Sequence, residues 1–319
     1  MRHANLSIFV PHVGCPNQCS FCNQRSISGT ASQPTKSTVQ EMCFTSEKQL
    51  AGHCDHAEIA FFGGSFTAID REYMIELLQA TEPFLSGGVF KGIRISTRPD
   101  AIDSEILDVL KRYHVTAIEL GAQSMSDDVL DLNLRGHSAA QVKEASALIR
   151  DRGFELGLQM MTGLYGSDEQ TDRETAMQLA DLKPDTIRVY PTIGVERTAL
   201  ANLWKAGSYR PQTLEEAVKL GAWLLDLFET RYKIPVIRMG LHAQDSLQEN
   251  MLAGPYHPAF RELCEGRLLY DRIRKQAGKP GTYVVRISPK SVSKITGHGA
   301  QTIEKLQRLG YNVNINQDA

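Results

Sequence analysis

Seven short β-rich apolar runs alternate with amphipathic helical stretches along most of the chain, and this alternation limits the possible folds more than any other feature. The strands read as Leu6–Val10, Glu58–Phe62, Ile93–Thr97, Ala117–Leu120, Phe154–Met160, Thr186–Tyr190 and Val236–Met239. Between them, Asp70–Leu85 places Tyr73, Leu77, Leu78 and Leu85 on one broad face. Asp103–Tyr113, Ser138–Arg152, Ser167–Leu182 and Thr213–Tyr232 carry the same helical period. Strands alternating with helices in this way imply parallel βαβ units. About six such units match a full or partial (β/α) barrel, whose chemistry sits at the C-terminal strand ends.

The bulk numbers agree with that fold. A chain of 319 residues, 42% hydrophobic and 23% charged, suits one large α/β domain with a small appendage. No run approaches about 18 uninterrupted apolar residues, so no membrane span is expected. Met1–Asn5 leads straight into the first strand without a signal-peptide apolar region, which predicts a cytoplasmic protein.

The first strand ends in a cysteine loop: Cys15, Cys19 and Cys22 are spaced C-x3-C-x2-C. Three thiolates at this spacing can hold one corner of a [4Fe–4S] cluster and leave its fourth iron open to an organic cofactor. A structural site closes its coordination with a fourth ligand, and none follows nearby. The other three cysteines, Cys43, Cys54 and Cys264, are scattered and read as small buried hydrophobes or spectators. This includes Cys54, despite its flanking His53, Asp55 and His56. The second strand ends in Gly63-Gly64-Ser65, where two glycines let the backbone come close to a ligand.

The cysteine loop and the Gly63-Gly64 turn together resemble the radical S-adenosylmethionine (SAM) superfamily. The resemblance implies that the open iron chelates the amine and carboxylate of SAM. It also implies that the reduced cluster cleaves SAM to a 5′-deoxyadenosyl radical, and that the Gly-Gly turn contacts the SAM amino group. Further segments are similar to the radical SAM domain of the Elongator catalytic subunits, which modify tRNA. They are Ile95–Asp100, Gly121–Ser124, Arg135–Ser138, Tyr190–Ile193, Thr198–Leu200 and Leu203–Tyr209, and they extend the likeness over roughly residues 5–240. Related barrel enzymes, oxygen-independent coproporphyrinogen oxidase among them, imply SAM contacts for Gln123 and Arg135. A guanidinium can pair with the SAM carboxylate and an amide can bond its ribose. Gln159, near the end of the fifth strand, is expected at the same mouth. The implied SAM set is thus Gly63, Gly64, Ser65, Ser96, Gln123, Arg135 and Gln159. Phe21 is the aromatic of the cluster loop, expected over the cluster or adenine.

Two departures stand out. Ser96 occupies a position where many relatives hold SAM with a carboxylate. The Elongator subunit also has a longer first cysteine spacing and an acetyltransferase domain, for which the remaining residues here are too few.

The last residues break the strand–helix rhythm after Gly278–Gly281. From Arg267 onward, ten basic residues stand against three acidic ones, leaving that segment at +7 and residues 1–266 at −9 within a total of −2. The tail reads as strand Tyr283–Ile287, helix Pro289–Ile295, turn Gly297–Gly299, helix Gln301–Leu309 and strand Tyr311–Ile315. Ser291–Ile303 resembles the heart of a KH module, whose G-x-x-G loop clamps nucleic-acid backbone, with Ala300 in place of the last glycine. That resemblance implies RNA contacts from Lys290, Lys294, Gly297, His298, Gly299 and Lys305, with a salt-sensitive component from the lysines.

The expected organisation is a radical SAM partial (β/α) barrel over 1–240, a helical connector over 241–281 and a KH-like basic α+β subdomain over 282–319. The expected function is radical chemistry on RNA, most plainly on a tRNA nucleoside, with the electron supplied by a donor such as flavodoxin or ferredoxin. Two alternatives stay open: radical chemistry on a tetrapyrrole or other small molecule, and a non-catalytic cluster-bearing RNA-binding protein.

Overall fold

Strands rich in β-branched and aromatic residues, buried on both faces, can pair only inside a layered parallel sheet, and that is how the chain is arranged. The computed structural model describes residues 3–11, 18–23, 32–241, 245–287 and 301–317. Strands β1 (His3–Val10), β2 (His56–Gly63), β3 (Phe90–Thr97), β4 (Val115–Gln123), β5 (Glu155–Thr162), β6 (Thr186–Pro191) and β8 (Val236–Met239) form one seven-stranded sheet. Each pairs in parallel with the next, and β6 passes over the short β7 (Gly194–Val195) to pair with β8. β7 instead pairs antiparallel with β9 (Met251–Ala253). The sheet curls into a half-barrel, as the strand–helix alternation predicts.

The helices follow their strands: α1 (Lys36–Leu50), α2 (Arg71–Thr81), α3 (Ser104–Arg112), α4 (Asp127–Leu132), α5 (Ala139–Asp151), α6 (Glu169–Asp181), α7 (Ala199–Lys205) and α8 (Leu214–Leu225). Their starts are written in the sequence. Thr35, Asp70, Asp103, Ser126, Ser138, Asp168, Thr198 and Thr213 each accept a backbone N–H from the first turn of their helix. Ser138 with Gln141 and Thr213 with Glu216 complete capping boxes. The helical stretch read as continuous from Thr213 to Tyr232 changes character at Asp226, where a π-helix runs to Tyr232 before Lys233 turns left-handed at φ 61°.

Parity along the strands separates two environments. Ile59 and Phe61 of β2, Ile93 and Ile95 of β3 and Leu156 and Leu158 of β5 join the large apolar core with Leu77, Leu78 and Leu107 of the helices. The alternate residues face the concave side, and there the strands carry charge. Arg94 Nε donates to Glu58 at 2.8 Å and its Nη2 to Glu155 at 2.9 Å. Arg188 Nη2 donates to Glu119 at 2.8 Å. Burial disfavours a charged Arg94, but Glu58, Glu155 and Glu119 more than offset this and raise its pKa above the ordinary value. At the N-terminal ends of the strands, Asn5, His56, Arg94, Thr186 and Arg238 line a polar cavity of about 450 Å³.

After β8 come α9 (Asp245–Asn250), β9 and the long α10 (Phe260–Ala277). Phe260 and Cys264 of α10 are buried in the barrel's own core. At the C-terminus, β10 (Gly281–Ile287) pairs in parallel with β11 (Tyr311–Gln317), with α11 (Gln301–Arg308) before β11. Leu306 and Tyr311 pack with Ile273 of α10. The expected helix Pro289–Ile295 and the turn Gly297–Gly299 after it lie outside the described residues. Among the described residues no helix is long and apolar enough to cross a membrane.

Candidate active site

The site begins where β1 and β2 end side by side. Val10 pairs with Gly63, and the Gly64 N–H donates to Val10 O at 2.9 Å, tying the glycine turn to the strand that leads into the cysteine loop. Gly63 has φ +110°, and a Cβ there would lie 3.0 Å from Val10 O, so both the backbone angle and the space require glycine. Ser65 follows, buried.

Cys15 lies outside the described residues. Cys19 and Cys22 are linked by a turn in which the Cys22 N–H donates to Cys19 O at 3.1 Å. Ser20 between them is clasped twice by Asn133. Its N–H donates to Asn133 O at 3.1 Å, and its Oγ donates to Asn133 Oδ1 at 2.7 Å. Asn133 is itself fully buried, and its amide donates to Val129 O and Tyr165 O. The cluster loop is thereby anchored to the C-terminus of α4, across the mouth from β1.

Two residues beyond Asn133, Arg135 reaches the sulfur. Its Nη1 donates to Cys19 Sγ at 3.1 Å and its Nη2 to Gly121 O at 2.6 Å, with the Phe21 ring 5.9 Å from the guanidinium. A cationic donor beside the sulfur suits a sulfur that carries negative charge. Arg98, buried at the end of β3, donates to Arg135 O at 2.6 Å and fixes this backbone in turn. Gln123 closes β4 in a left-handed conformation, φ 64°, where the β4–β5 register shifts. An amide held there is positioned by strain, as ligand-facing residues often are.

Gln123 Oε1 and Arg135 Nε are buried and have no hydrogen-bond partner in the protein. Each would cost roughly 1–3 kcal/mol if it stayed unpaired. A ribose hydroxyl placed between them could donate to Gln123 Oε1 and accept from Arg135 Nε, and a carboxylate could accept from Arg135 Nε, so the residues present fit a ligand of SAM's polarity. His137 adds a third such atom. Its Nε2 faces Ala122 O at 3.2 Å and its Nδ1 has no partner. Burial first, and the Arg135 charge second, push its pKa down to about 4. The ring is therefore neutral near pH 7, with Nε2–H donating and Nδ1 presenting a lone pair.

Ser96 and Gln159 lie deeper on the concave face and meet each other. The Gln159 amide donates to Ser96 Oγ at 3.2 Å and to Glu119 Oε2 at 2.9 Å. Glu119 also pairs with Arg188, whose guanidinium sits 5.1 Å from the Phe62 ring. Burial raises the Tyr190 phenol above its ordinary value, against the pull of Arg188.

The structure therefore joins Cys19 to Arg135, and Arg135 to Gly121 two residues before Gln123. Gly63, Gly64 and Ser65 stand at the end of β2 beside Val10, and Ser96 and Gln159 bond to one another. Lys290, Lys294, Gly297, His298 and Gly299 lie outside the described residues, and Lys305 is exposed on α11. The Cys54 thiol donates to His56 O at 3.0 Å, as befits a spectator. Asn133 and the Glu58–Arg94–Glu119–Arg188 network do not appear in the motif reading, and His137 appears there only within the Arg135–Ser138 segment, with no role of its own. The network had a signal, since each member is a charged residue in the middle of an otherwise apolar strand.

Two cysteines in a loop tied to Arg135 and Asn133, and a glycine turn at the end of β2 of a parallel half-barrel, are features that a barrel enzyme with a cluster-bound cofactor would show. The radical SAM superfamily profile matches residues 9–179 and the radical SAM C-terminal domain matches residues 184–269, and the chain belongs to the radical SAM superfamily. It is accordingly an enzyme of the [4Fe–4S] cluster and SAM.

Among curated proteins, it is 29% identical over 241 residues to mouse Elongator complex protein 3, covering 69% of this chain and 43% of that protein. It is 26% identical over 207 residues to a tRNA uridine(34) acetyltransferase of Methanocaldococcus jannaschii, covering 58% and 37%. The chain thus spans about half or less of the length of these relatives. Among solved structures, the archaeal Elp3 of Methanocaldococcus infernus superposes with a TM-score of 0.65 at 22% identity, covering 86% of this chain and 63% of that one. Coproporphyrinogen III oxidase of Escherichia coli superposes with a TM-score of 0.53 at 17% identity, covering 72% and 53%. Both likenesses concern the fold.

Proposed function

We propose that this radical SAM enzyme acts on a nucleoside of tRNA. The supporting relatives are Elongator complex protein 3 and tRNA uridine(34) acetyltransferases, which align over the barrel. The basic C-terminal segment is the feature of this chain that a small-molecule substrate would leave without a role.

Cys15, Cys19 and Cys22 hold the cluster in this reading, and Gly63, Gly64, Ser65, Ser96, Gln123, Arg135 and Gln159 hold SAM. When bound, cluster and SAM supply a 5′-deoxyadenosyl radical that takes hydrogen from the substrate. The chain's own residues bind and orient. The Gly63-Gly64 backbone admits the methionyl end of SAM, Arg135 spans from the Cys19 sulfur to Gly121 O, and the left-handed Gln123 presents an amide oxygen that is otherwise unpaired. Asn133 keeps the cysteine loop over the barrel mouth. Residues 282–319 serve as a KH-like RNA-binding unit, with Lys290, Lys294, Gly297, His298, Gly299 and Lys305 at its contact surface. A cytoplasmic electron donor of the flavodoxin or ferredoxin kind completes the system.

The observation that carries the SAM assignment is the pair of unpaired buried atoms on Gln123 and Arg135 beside Cys19. The test is anaerobic reconstitution with iron and sulfide, followed by incubation with SAM, dithionite and bulk tRNA. Wild type should form 5′-deoxyadenosine and change a nucleoside of the tRNA, while Cys19→Ala should do neither. Formation of 5′-deoxyadenosine with unaltered tRNA would remove the RNA substrate. Formation by Cys19→Ala would remove the cluster assignment.

A further inference from the structure

We infer that single-stranded RNA docks in the groove that α10 shares with α8 and α11, with its base on Tyr270 and its backbone on Arg274 and Lys305. This rests on the RNA reading above and moves the contact surface onto a helix that no motif marked.

Arg267, Tyr270 and Arg274 are spaced by three and four residues on α10, which puts them on one helical face. The two guanidinium carbons lie 5.6 Å and 5.6 Å from the Tyr270 ring centroid. The ring is held by its surroundings: Tyr270 packs on the small core of Ile273, Leu306 and Tyr311 that joins α10 to the C-terminal unit. An aromatic ring with guanidinium groups over it is an element that single-stranded nucleic-acid sites use, since they combine base stacking, cation–π contact and charge for the backbone.

The groove at this face has a volume of about 430 Å³, with Thr302 and Lys305 of α11 on its far wall. Its carboxylates, Glu215 and Glu262, belong to the first turns of α8 and α10. Arg274 is twelve residues further along α10 than Glu262, about 18 Å at the helical rise. Glu262 and Arg274 therefore lie toward opposite ends of the groove, with Arg267 between them.

The cations differ in their partners. Arg267 pairs with Asp271 at 2.9 Å. Among the described residues no carboxylate pairs with Arg274 or Lys305, while Arg272 on another face of α10 is engaged by Asp226. Arg274 instead donates to the Tyr270 hydroxyl at 3.5 Å, and its contact with Tyr311 raises its pKa. Its charge is thus oriented without being neutralised, an arrangement suited to a phosphate. The same segment holds the +7 that the sequence places from Arg267 onward.

The test is fluorescence anisotropy of a labelled, unmodified tRNA transcript with the full-length, cluster-loaded protein, measured from about 50 to 200 mM salt. Arg274→Gln and Lys305→Gln should each weaken binding and reduce the slope of log affinity against log salt by about one. Tyr270→Leu, which keeps an apolar side chain in the small core, should weaken binding about tenfold with the slope unchanged. All three should retain dithionite-driven SAM cleavage, which reports an intact barrel. Lys305→Gln alters only an exposed side chain and so remains informative if Arg274→Gln or Tyr270→Leu disturbs the packing. If wild type binds and the variants match it in affinity and slope, the groove is wrong and the RNA reading stands. If wild type itself fails to bind, both fall.

Discussion

At the scale of single residues, the mouth of the barrel depends on side chains that have no room to move. A Cβ on Gly121 would lie 2.9 Å from Gln123 Nε2 and 3.4 Å from Arg135 Nη2. Gly121→Ala should therefore displace both residues and weaken SAM binding at least tenfold in equilibrium dialysis, with iron content preserved. Unaltered SAM affinity would show that Gln123 and Arg135 do not hold it. Two buried titrating groups make a second prediction. His137 titrates near 4 in the folded chain against an ordinary 6.5, so its contribution is complete above 6.5 and is lost as pH falls toward 4. Asp172, which accepts from Ser167 and the Gly163 N–H, is pushed up by burial to about 6 from 3.8, so its contribution is complete below 3.8 and is lost as pH rises toward 6. Each amounts to at most about 3 kcal/mol, and their slopes oppose. In urea unfolding from pH 4 to 6.5, the deficit of His137→Gln relative to wild type should grow with pH, and that of Asp172→Asn should shrink. Parallel curves for the two variants would contradict the assignment.

At the scale of elements, the seven long strands and the capped helices after them were legible because period and capping agree. Asp70, Asp103 and Ser138 each head a helix that the apolar spacing already implied. Other features had no local signature. The α4 helix is only six residues long, and its importance comes from Asn133 just beyond it, whose bonds to Ser20 span 113 positions of sequence. The π-helix at Asp226–Tyr232 is also hidden, since its residues continue the apolar period of α8 without interruption. The close approach of α8 and α10 likewise appears only in three dimensions. A Cβ on Gly221 would fall 2.5 Å from Cys264 Sγ. Gly221→Ala should cost about 1–3 kcal/mol by overpacking, read as a lower Tm. Adding Cys264→Ala should recover part of that loss. An unchanged Tm in the single variant would mean that the helices separate freely.

At the scale of the whole molecule, the half-barrel is held on its concave side by charge as well as by its apolar outer core. Arg94 bridges Glu58 of β2 and Glu155 of β5 and lies 3.6 Å from Glu119 of β4, which Arg188 of β6 also engages. Arg94→Met would leave Glu58 and Glu119, 3% and 1% exposed, short of a partner. Removing one member of such a network costs on the order of 3–5 kcal/mol, measurable by urea unfolding at neutral pH. A loss below about 1 kcal/mol would show the network to be dispensable. The cysteine and glycine motifs made the cofactor legible in the sequence because metal spacing and tight turns are local. The concave wall, by contrast, is built by residues distant in sequence and carries no such local motif. The most direct measurement is mass-spectrometric comparison of tRNA nucleosides from cells with and without this gene. The account predicts one modified nucleoside absent from the deletion strain and restored by wild type but not by Cys19→Ala. Identical nucleoside profiles in the two strains would contradict it.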